Sequence, residues 1–216
     1  MSSMSNGNRK NLEGQKALVT GATSGIGRAI ALRLARDGAE VLVHGRDAER
    51  GENVVDAISA EGGHARFVAA DISEAAEVNR LAEEAGEVDI LVNNAGFSWF
   101  GPTPDLDAET FDAMFASNVR SAYLLVAALA PKMAARGKGS IVNLSSMAAQ
   151  VGLPGGAAYS ATKASNGSDD AFVGRGVQPR RTRQRDRAGS GVHRGSNTRP
   201  HRPARRDDAP EAGRTA

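Results

Sequence analysis

Short apolar runs alternate with amphipathic stretches from Lys16 to Leu144. Lys16-Ala-Leu-Val-Thr20 predicts a buried strand that runs directly into a glycine-rich turn. Ile26 to Asp37 predicts a helix, with Ile26, Ile30 and Leu34 on its inward face and Arg28, Arg33 and Arg36 turned out. Gly38 stops it. Val41 to His44 predicts a second strand, and Ala48 to Glu61 a second helix carrying Val54, Val55 and Ile58 and ended by Gly62-Gly63. Arg66 to Ala70 and Glu74 to Ala85 repeat the strand and helix, with Val78 and Leu81 inward. Ile90-Leu-Val92 predicts a fourth strand, about Asp107 to Ala135 a long helix, and Ile141 to Leu144 a fifth strand. Strands apolar on both faces, each followed by a helix, predict an α/β fold with a parallel sheet covered on both sides. Right-handed crossovers make this a doubly wound, Rossmann-like sheet with ligand sites at the carboxyl ends of the strands.

The pattern then stops. The last Leu is Leu153 and the last Ile is Ile141. After Ser165 the sizeable apolar side chains are Phe172, Val173, Val177 and Val192, too few to offset the entropy of ordering a segment. The sheet is therefore expected to be incomplete at its C-terminal strands. Residues 165–216 are expected to form a disordered tail, beside a folded body over 12–164 and a flexible segment over 1–11. Charge divides at the same place. The tail holds 12 Arg, no Lys and 6 acids, whereas the body is net acidic although the chain as a whole is +2. The lack of cysteine excludes a disulfide scaffold and thiolate metal sites, and no metal is expected. Met1 to Asn11 lacks an apolar signal core, and no run reaches ~18 consecutive apolar residues. The expectation is a cytoplasmic protein with no membrane partner.

Several residues carry chemistry. Thr20-Gly21-Ala-Thr-Ser24-Gly25-Ile26-Gly27 joins the first strand to the first helix. Its glycines permit a tight turn and close backbone approach to a phosphate, and the helix start offers unpaired N–H groups. A plain loop is the competing reading, and no Gly-Lys-Ser/Thr follows. Tyr159 and Lys163 are four apart, so a helix sets both on one face. A phenol titrates near ~10, and lowering it by about three units needs ~4 kcal/mol, which an adjacent ammonium helps supply. Asn118 interrupts an apolar stripe of Phe111, Met114, Phe115, Ala122 and Leu125, so its amide needs partners. A helix-bonded core Asn is the bland reading. Phe97, Trp99 and Phe100 either line an apolar substrate mouth or pack in the core.

Gly21, Gly25 and Gly27 are spaced three then one, Asn93-Asn94-Ala95-Gly96 ends the fourth strand, and Asn118, Ser146, Tyr159 and Lys163 follow in order. With this set the sequence from Leu12 to Ala164 resembles the short-chain dehydrogenase/reductase family, in particular its 3-oxoacyl-[acyl-carrier-protein] reductase-like members. The resemblance implies an oxidoreductase that transfers a hydride between a nicotinamide cofactor and a small-molecule carbonyl or secondary alcohol. It implies that Asn118, Ser146, Tyr159 and Lys163 are catalytic. Cofactor contacts would come from Thr20, Gly21, Ser24, Gly25, Ile26, Gly27, Arg46, Asp71, Asn94, Ala95 and Gly96, with Tyr159 and Lys163. Ser146, thirteen positions before Tyr159, takes the carbonyl-orienting role, leaving Ser145 as a strand-end hydrogen-bonding residue. Asn118 would hold a water that links Lys163 to solvent. Asp71 would face the adenine ring, with capping as its other reading. An acid at the end of the second strand would bond the ribose 2′-OH of NAD and repel a 2′-phosphate. This chain has His44-Gly45-Arg46 there, which favours NADP over NAD. Arg46 as a solvated loop charge and Asp47 as a helix N-cap are the plainer readings.

The family continues past Lys163 with a helix, a strand with a Pro-Gly turn, a substrate-covering segment and a final strand, none of which this sequence shows. Residues rich in Arg, Gly, Ala and Pro are what GC-rich DNA yields out of phase. With codons chosen for Arg183 to Gly195, reading one nucleotide later gives Val-Asn-Ala-Ile-Ala-Pro-Gly-Pro-Val-Tyr-Thr-Glu. That resembles the missing strand and turn, so a frameshift close to Ala164 to Asn166 is expected. The coding DNA checks it: the helix and strand must be present one base over. With a wall of the pocket and its subunit-pairing helices overwritten, a chain from a usually homo-oligomeric family is expected to show little turnover and poor solubility. A cofactor-binding remnant is one alternative. An Arg-rich nucleic-acid-binding arm is another, and the absence of Lys and the lone aromatic Phe172 argue against it.

Overall fold

A computed structural model describes residues 11–165. The expected N-terminal segment, apart from Asn11, and the expected tail, apart from Ser165, lie outside the described residues. So do the alternatives that rest on the tail.

The elements follow the alternation: β1 (Lys16–Val19), α1 (Gly25–Arg36), β2 (Glu40–Gly45), α2 (Ala48–Ala60), β3 (His64–Ala69), α3 (Ala75–Ala85), β4 (Ile90–Asn93), α4 (Ala108–Phe115), α5 (Ser121–Ala135), β5 (Ser140–Asn143) and α6 (Ala157–Ser165). Among the described residues the five strands form one parallel sheet in the order β3-β2-β1-β4-β5. The chain builds outward from β1 to β3, then returns to lay β4 on the other side of β1. That reversal opens a crevice between the carboxyl ends of β1 and β4, where doubly wound sheets bind ligands.

Alternation along the strands builds two cores. Leu18, Leu42 and Leu91 point to one face and pack with Val78, Leu81, Leu125 and Leu129 of α3 and α5. Ala17, Val19, Val41, Val43, Ile90 and Val92 point to the other, against Ala31, Ala35, Val54 and Ile58 of α1 and α2. Burying each large side chain contributes about 1.5–3 kcal/mol. Ala108–Ala135 is apolar and long enough, by length and composition, to cross a membrane. Here it is a core helix, with Leu125, Leu129 and Met133 buried.

Two expectations are corrected. The inward face of α1 is Gly27, Ala31 and Ala35; Ile30 and Leu34 flank it half-buried, and Ile26 is 67% exposed. The helix lies so close to the strand-turn that small residues are needed at its contact. A Cβ on Gly27 would sit 2.2 Å from the Gly21 carbonyl oxygen. The long helix runs over Ala108–Ala135 as expected, but its buried face is not the one the spacing gives. Asp107 caps α4 by accepting from the Thr110 N–H at 2.7 Å, and a π turn over Ala116–Arg120 joins α4 to α5. The widened turn shifts the face by part of a turn. Met114 and Asn118 are buried while Phe111, expected beside them, is 40% exposed.

A cavity of about 640 Å³ opens at the amino ends of the strands, lined by Lys16, Glu40, Asp89 and Lys138 among others. Its charges answer one another, as in the 3.1 Å Lys138–Asp89 pair, and it lies at the opposite end of the sheet from the residues considered next.

Candidate active site

The glycine-rich turn is tied down from three sides. The Thr20 hydroxyl donates to the Val92 carbonyl at 3.2 Å and accepts from the N–H groups of Asn94 and Ala95, both at 3.0 Å. The Asn94 amide nitrogen in turn donates to the carbonyls of Thr20 at 2.8 Å and Gly21 at 3.2 Å. Thr20 and Asn94 therefore fasten the ends of β1 and β4 together rather than pointing their side chains into the crevice. Gly21 has φ +62°, and a Cβ there would lie 2.9 Å from Ala95 Cα, so a side chain is excluded by conformation and by space. Ser24 precedes α1 in extended conformation without capping it, and Gly25 and Ile26 stand exposed at the helix start. The free N–H groups of that first turn, carrying the positive end of the helix dipole, suit a pyrophosphate. The open space around Gly25 leaves room for one.

At the end of β2, Arg46 is 77% exposed by side chain and lies 3.8 Å from Asp71. Asp71 accepts from the Ser73 N–H at 2.9 Å and the Ser73 hydroxyl at 2.8 Å, which with nearby Arg46 hold its carboxyl below the usual range. Asp71 thus braces the turn before α3 and does not cap the helix, whose N-cap position is Glu74 with no side-chain cap bond. Asp47 caps α2, accepting from the Arg50 N–H at 3.0 Å.

The second half of the site joins β5 to α6. The Ser145 hydroxyl donates to the Lys163 carbonyl at 3.1 Å, and Lys163 Nζ donates to the Leu144 carbonyl at 3.0 Å. Lys163 is 7% exposed, and burial pushes its pKa down from the ordinary lysine value. Its Nζ stands 5.8 Å from the centre of the Tyr159 ring, and Phe100 packs against that ring at 5.7 Å. Ser146 accepts from the Ala148 N–H at 3.2 Å, opening a short 3₁₀ turn over Met147–Ala149.

Asn118 lies in the π turn. Its Oδ1 accepts from the Phe97 N–H at 2.9 Å, and its Nδ2 donates to the Phe97 carbonyl at 2.8 Å and to Thr162 Oγ1 at 3.1 Å. A Cβ on Gly96 would lie 2.5 Å from Asn118 Oδ1, so the Asn-Asn-Ala-Gly segment owes its approach to that glycine. The Thr162 hydroxyl donates to the Tyr159 carbonyl at 2.7 Å, linking Asn118 to the turn that carries Tyr159.

The structure thus brings Ser146, Tyr159, Lys163 and Asn118 together, and sets Gly21 to Gly27 and Asn94 to Gly96 around the crevice between β1 and β4. Two residues were missed: Thr162, and His44 beneath the glycine turn. His44 reads in sequence as one more position of a buried strand, and Thr162 as filler between Tyr159 and Lys163.

A family model for short chain dehydrogenases matches residues 15–167. The chain belongs to that family. An uncharacterized oxidoreductase of Thermotoga maritima is 39% identical over 156 residues, 71% of this chain and 62% of the relative, so the chain spans less than two thirds of that protein. A solved protein provisionally assigned as a betaketoacyl-ACP reductase is 49% identical with a TM-score of 0.71, covering 76% of this chain and 69% of its own. A metagenomic short-chain oxidoreductase solved with NADP is 40% identical with a TM-score of 0.72, covering 75% and 76%. A 7α-hydroxysteroid dehydrogenase solved with NADH also superposes, at 34% identity and a TM-score of 0.74, covering 81% and 71%.

Proposed function

We propose that this chain is an NADP(H)-dependent oxidoreductase acting on a small-molecule carbonyl or its secondary alcohol in the cytoplasm. The observation that carries the reading is the pair of bonds from β5 to α6, Ser145 to Lys163 and Lys163 to Leu144, which sets Tyr159 and Ser146 at the sheet end that holds the glycine turn. The bound dinucleotide supplies or accepts the hydride. In the reducing direction Ser146 donates a hydrogen bond to the carbonyl oxygen, and Tyr159 gives that oxygen its proton. Lys163, an ammonium held beside the ring, favours the phenolate left behind and so lowers the cost of the transfer. Asn118 fixes the Phe97 backbone and, through Thr162, the start of α6, keeping these groups in register. Among the residues beside Tyr159, Phe100 is 55% exposed, which with Met147 suits an apolar substrate mouth.

Arg46 is the proposed 2′-phosphate partner, freed for it by the weak 3.8 Å contact to Asp71. Arg46→Ala is expected to weaken NADPH binding about tenfold and to leave NADH binding within about twofold, read by parallel titrations. Equal loss for both cofactors would contradict the assignment.

A second reading, cofactor binding without turnover, is favoured by one feature. β5 is an edge of the sheet among the described residues, with Val142 45% exposed. Titrating NADPH and assaying turnover on one sample separates the two. Binding with carbonyl reduction supports the first reading, binding alone supports the second, and no binding contradicts both.

A further inference from the structure

His44 is 2% exposed at the end of β2, yet it is polar and has no place in the chemistry above. Its two ring nitrogens hold two different segments. Nδ1 receives the Gly21 N–H at 3.2 Å, and Nε2 lies 3.1 Å from the Ala70 carbonyl at the end of β3. The Ala22 N–H also donates to the His44 backbone carbonyl at 2.8 Å. A backbone N–H can only donate and a carbonyl can only accept, so the partners dictate the tautomer: Nδ1 bare, Nε2 protonated. Burial holds the ring neutral, with its pKa lowered to about 4.

Gly21 is thereby gripped from both sides. Its carbonyl accepts from Asn94 and its N–H is taken by His44. The same carbonyl packs against Gly27 in the first turn of α1, so the position of Gly21 sets where the helix start lies. We propose that His44 is a positioning residue for cofactor binding, its bare Nδ1 holding the Gly21 N–H so that the glycine turn and the start of α1 are preformed for the pyrophosphate. The inference rests on the cofactor reading above and adds to it a residue that touches neither cofactor nor substrate.

Two isosteric variants divide the ring's two jobs. In His44→Asn the amide oxygen stands where Nδ1 stood and can receive the Gly21 N–H, while the bond to Ala70 is lost. In His44→Gln the amide reaches the place of Nε2 and keeps Ala70, while Gly21 is released. Each leaves one buried backbone group unpaired, so both are expected to lower the melting temperature alike. Titration with NADPH at pH 7.5 is expected to give a Kd within about threefold of the parent for His44→Asn and about tenfold or more weaker for His44→Gln. A His44→Gln protein that binds like the parent, or a His44→Asn protein weakened equally, would overturn the inference. If neither variant folds, the imidazole ¹⁵N shifts of the parent decide, because a protonated Nδ1 is incompatible with it. A parent that fails to bind NADPH overturns the cofactor reading itself, a different result from a parent that binds and is indifferent to His44.

Discussion

Tyr159→Phe is expected to remove carbonyl reduction, lowering kcat about a thousandfold or more while the Kd for NADPH changes less than tenfold. The substitution deletes one oxygen. The ring still packs on Phe100, and the Tyr159 carbonyl still receives the Thr162 hydroxyl. What goes is the group that gives the substrate oxygen its proton, and general acid catalysis of this kind supplies 10²–10⁴-fold. About a thousandfold corresponds to ~4 kcal/mol of barrier. Lys163 cannot take over from its place, since its Nζ is bonded to the Leu144 carbonyl at 3.0 Å and buried. Steady-state kinetics with a reactive small ketone or aldehyde, beside a cofactor titration, checks both halves. Retained turnover would remove Tyr159 from the chemistry.

Gly27→Ala carries the second large effect, although it adds a single methyl group. That carbon would meet the Gly21 carbonyl oxygen at 2.2 Å and Asn94 Nδ2 at 2.4 Å, far inside contact distance. Both neighbours are fixed, one as backbone and the other by its bond to the Thr20 carbonyl. The helix must therefore back away from the turn, carrying its N–H groups off the phosphate position. Losing a hydrogen bond from these N–H groups to a charged phosphate costs about 1.5–3 kcal/mol, so NADPH affinity is expected to fall about a hundredfold. Overpacking adds about 1–3 kcal/mol of lost stability. Gly62→Ala is the control. With φ +75° and nothing within 4 Å of its Cβ, it is expected to cost about 1 kcal/mol in stability and leave cofactor binding alone. Isothermal titration and thermal melts of the three proteins separate the outcomes, and a Gly27→Ala protein that binds as the parent does would contradict the close packing.

How far the sequence reaches can be judged from individual residues. Leu18, Leu42 and Leu91 alternate with smaller apolar residues in short runs, and that period carries straight through to the two faces of the sheet. The helix bounds moved by a residue or two, as fraying ends do. The π turn at Ala116–Arg120 was not legible, because one widened turn leaves composition and overall periodicity unchanged. Ile26 misled for a different reason. Its spacing fits a buried face, but the contact there is so tight that glycine and alanine take it. The Tyr159–Lys163 pair was legible because four residues on a helix suffice to place it. His44 and Thr162 were not, because what they do depends on Gly21 and Asn118, which lie 23 and 44 positions away. No local pattern records such a bond.

The account depends most on Tyr159 and Ser146 standing beside the cofactor at the top of the sheet. Single-turnover deuteride transfer tests this most directly. The chain in excess is mixed with NADPH deuterated at the transferable position and a small aldehyde, and the alcohol is analysed for label. The expected result is deuterium on the carbinol carbon in the parent, appearing about a thousandfold more slowly or more with Tyr159→Phe. NADPH that stays bound and fully labelled in the parent, with no deuterium in the alcohol, would contradict it.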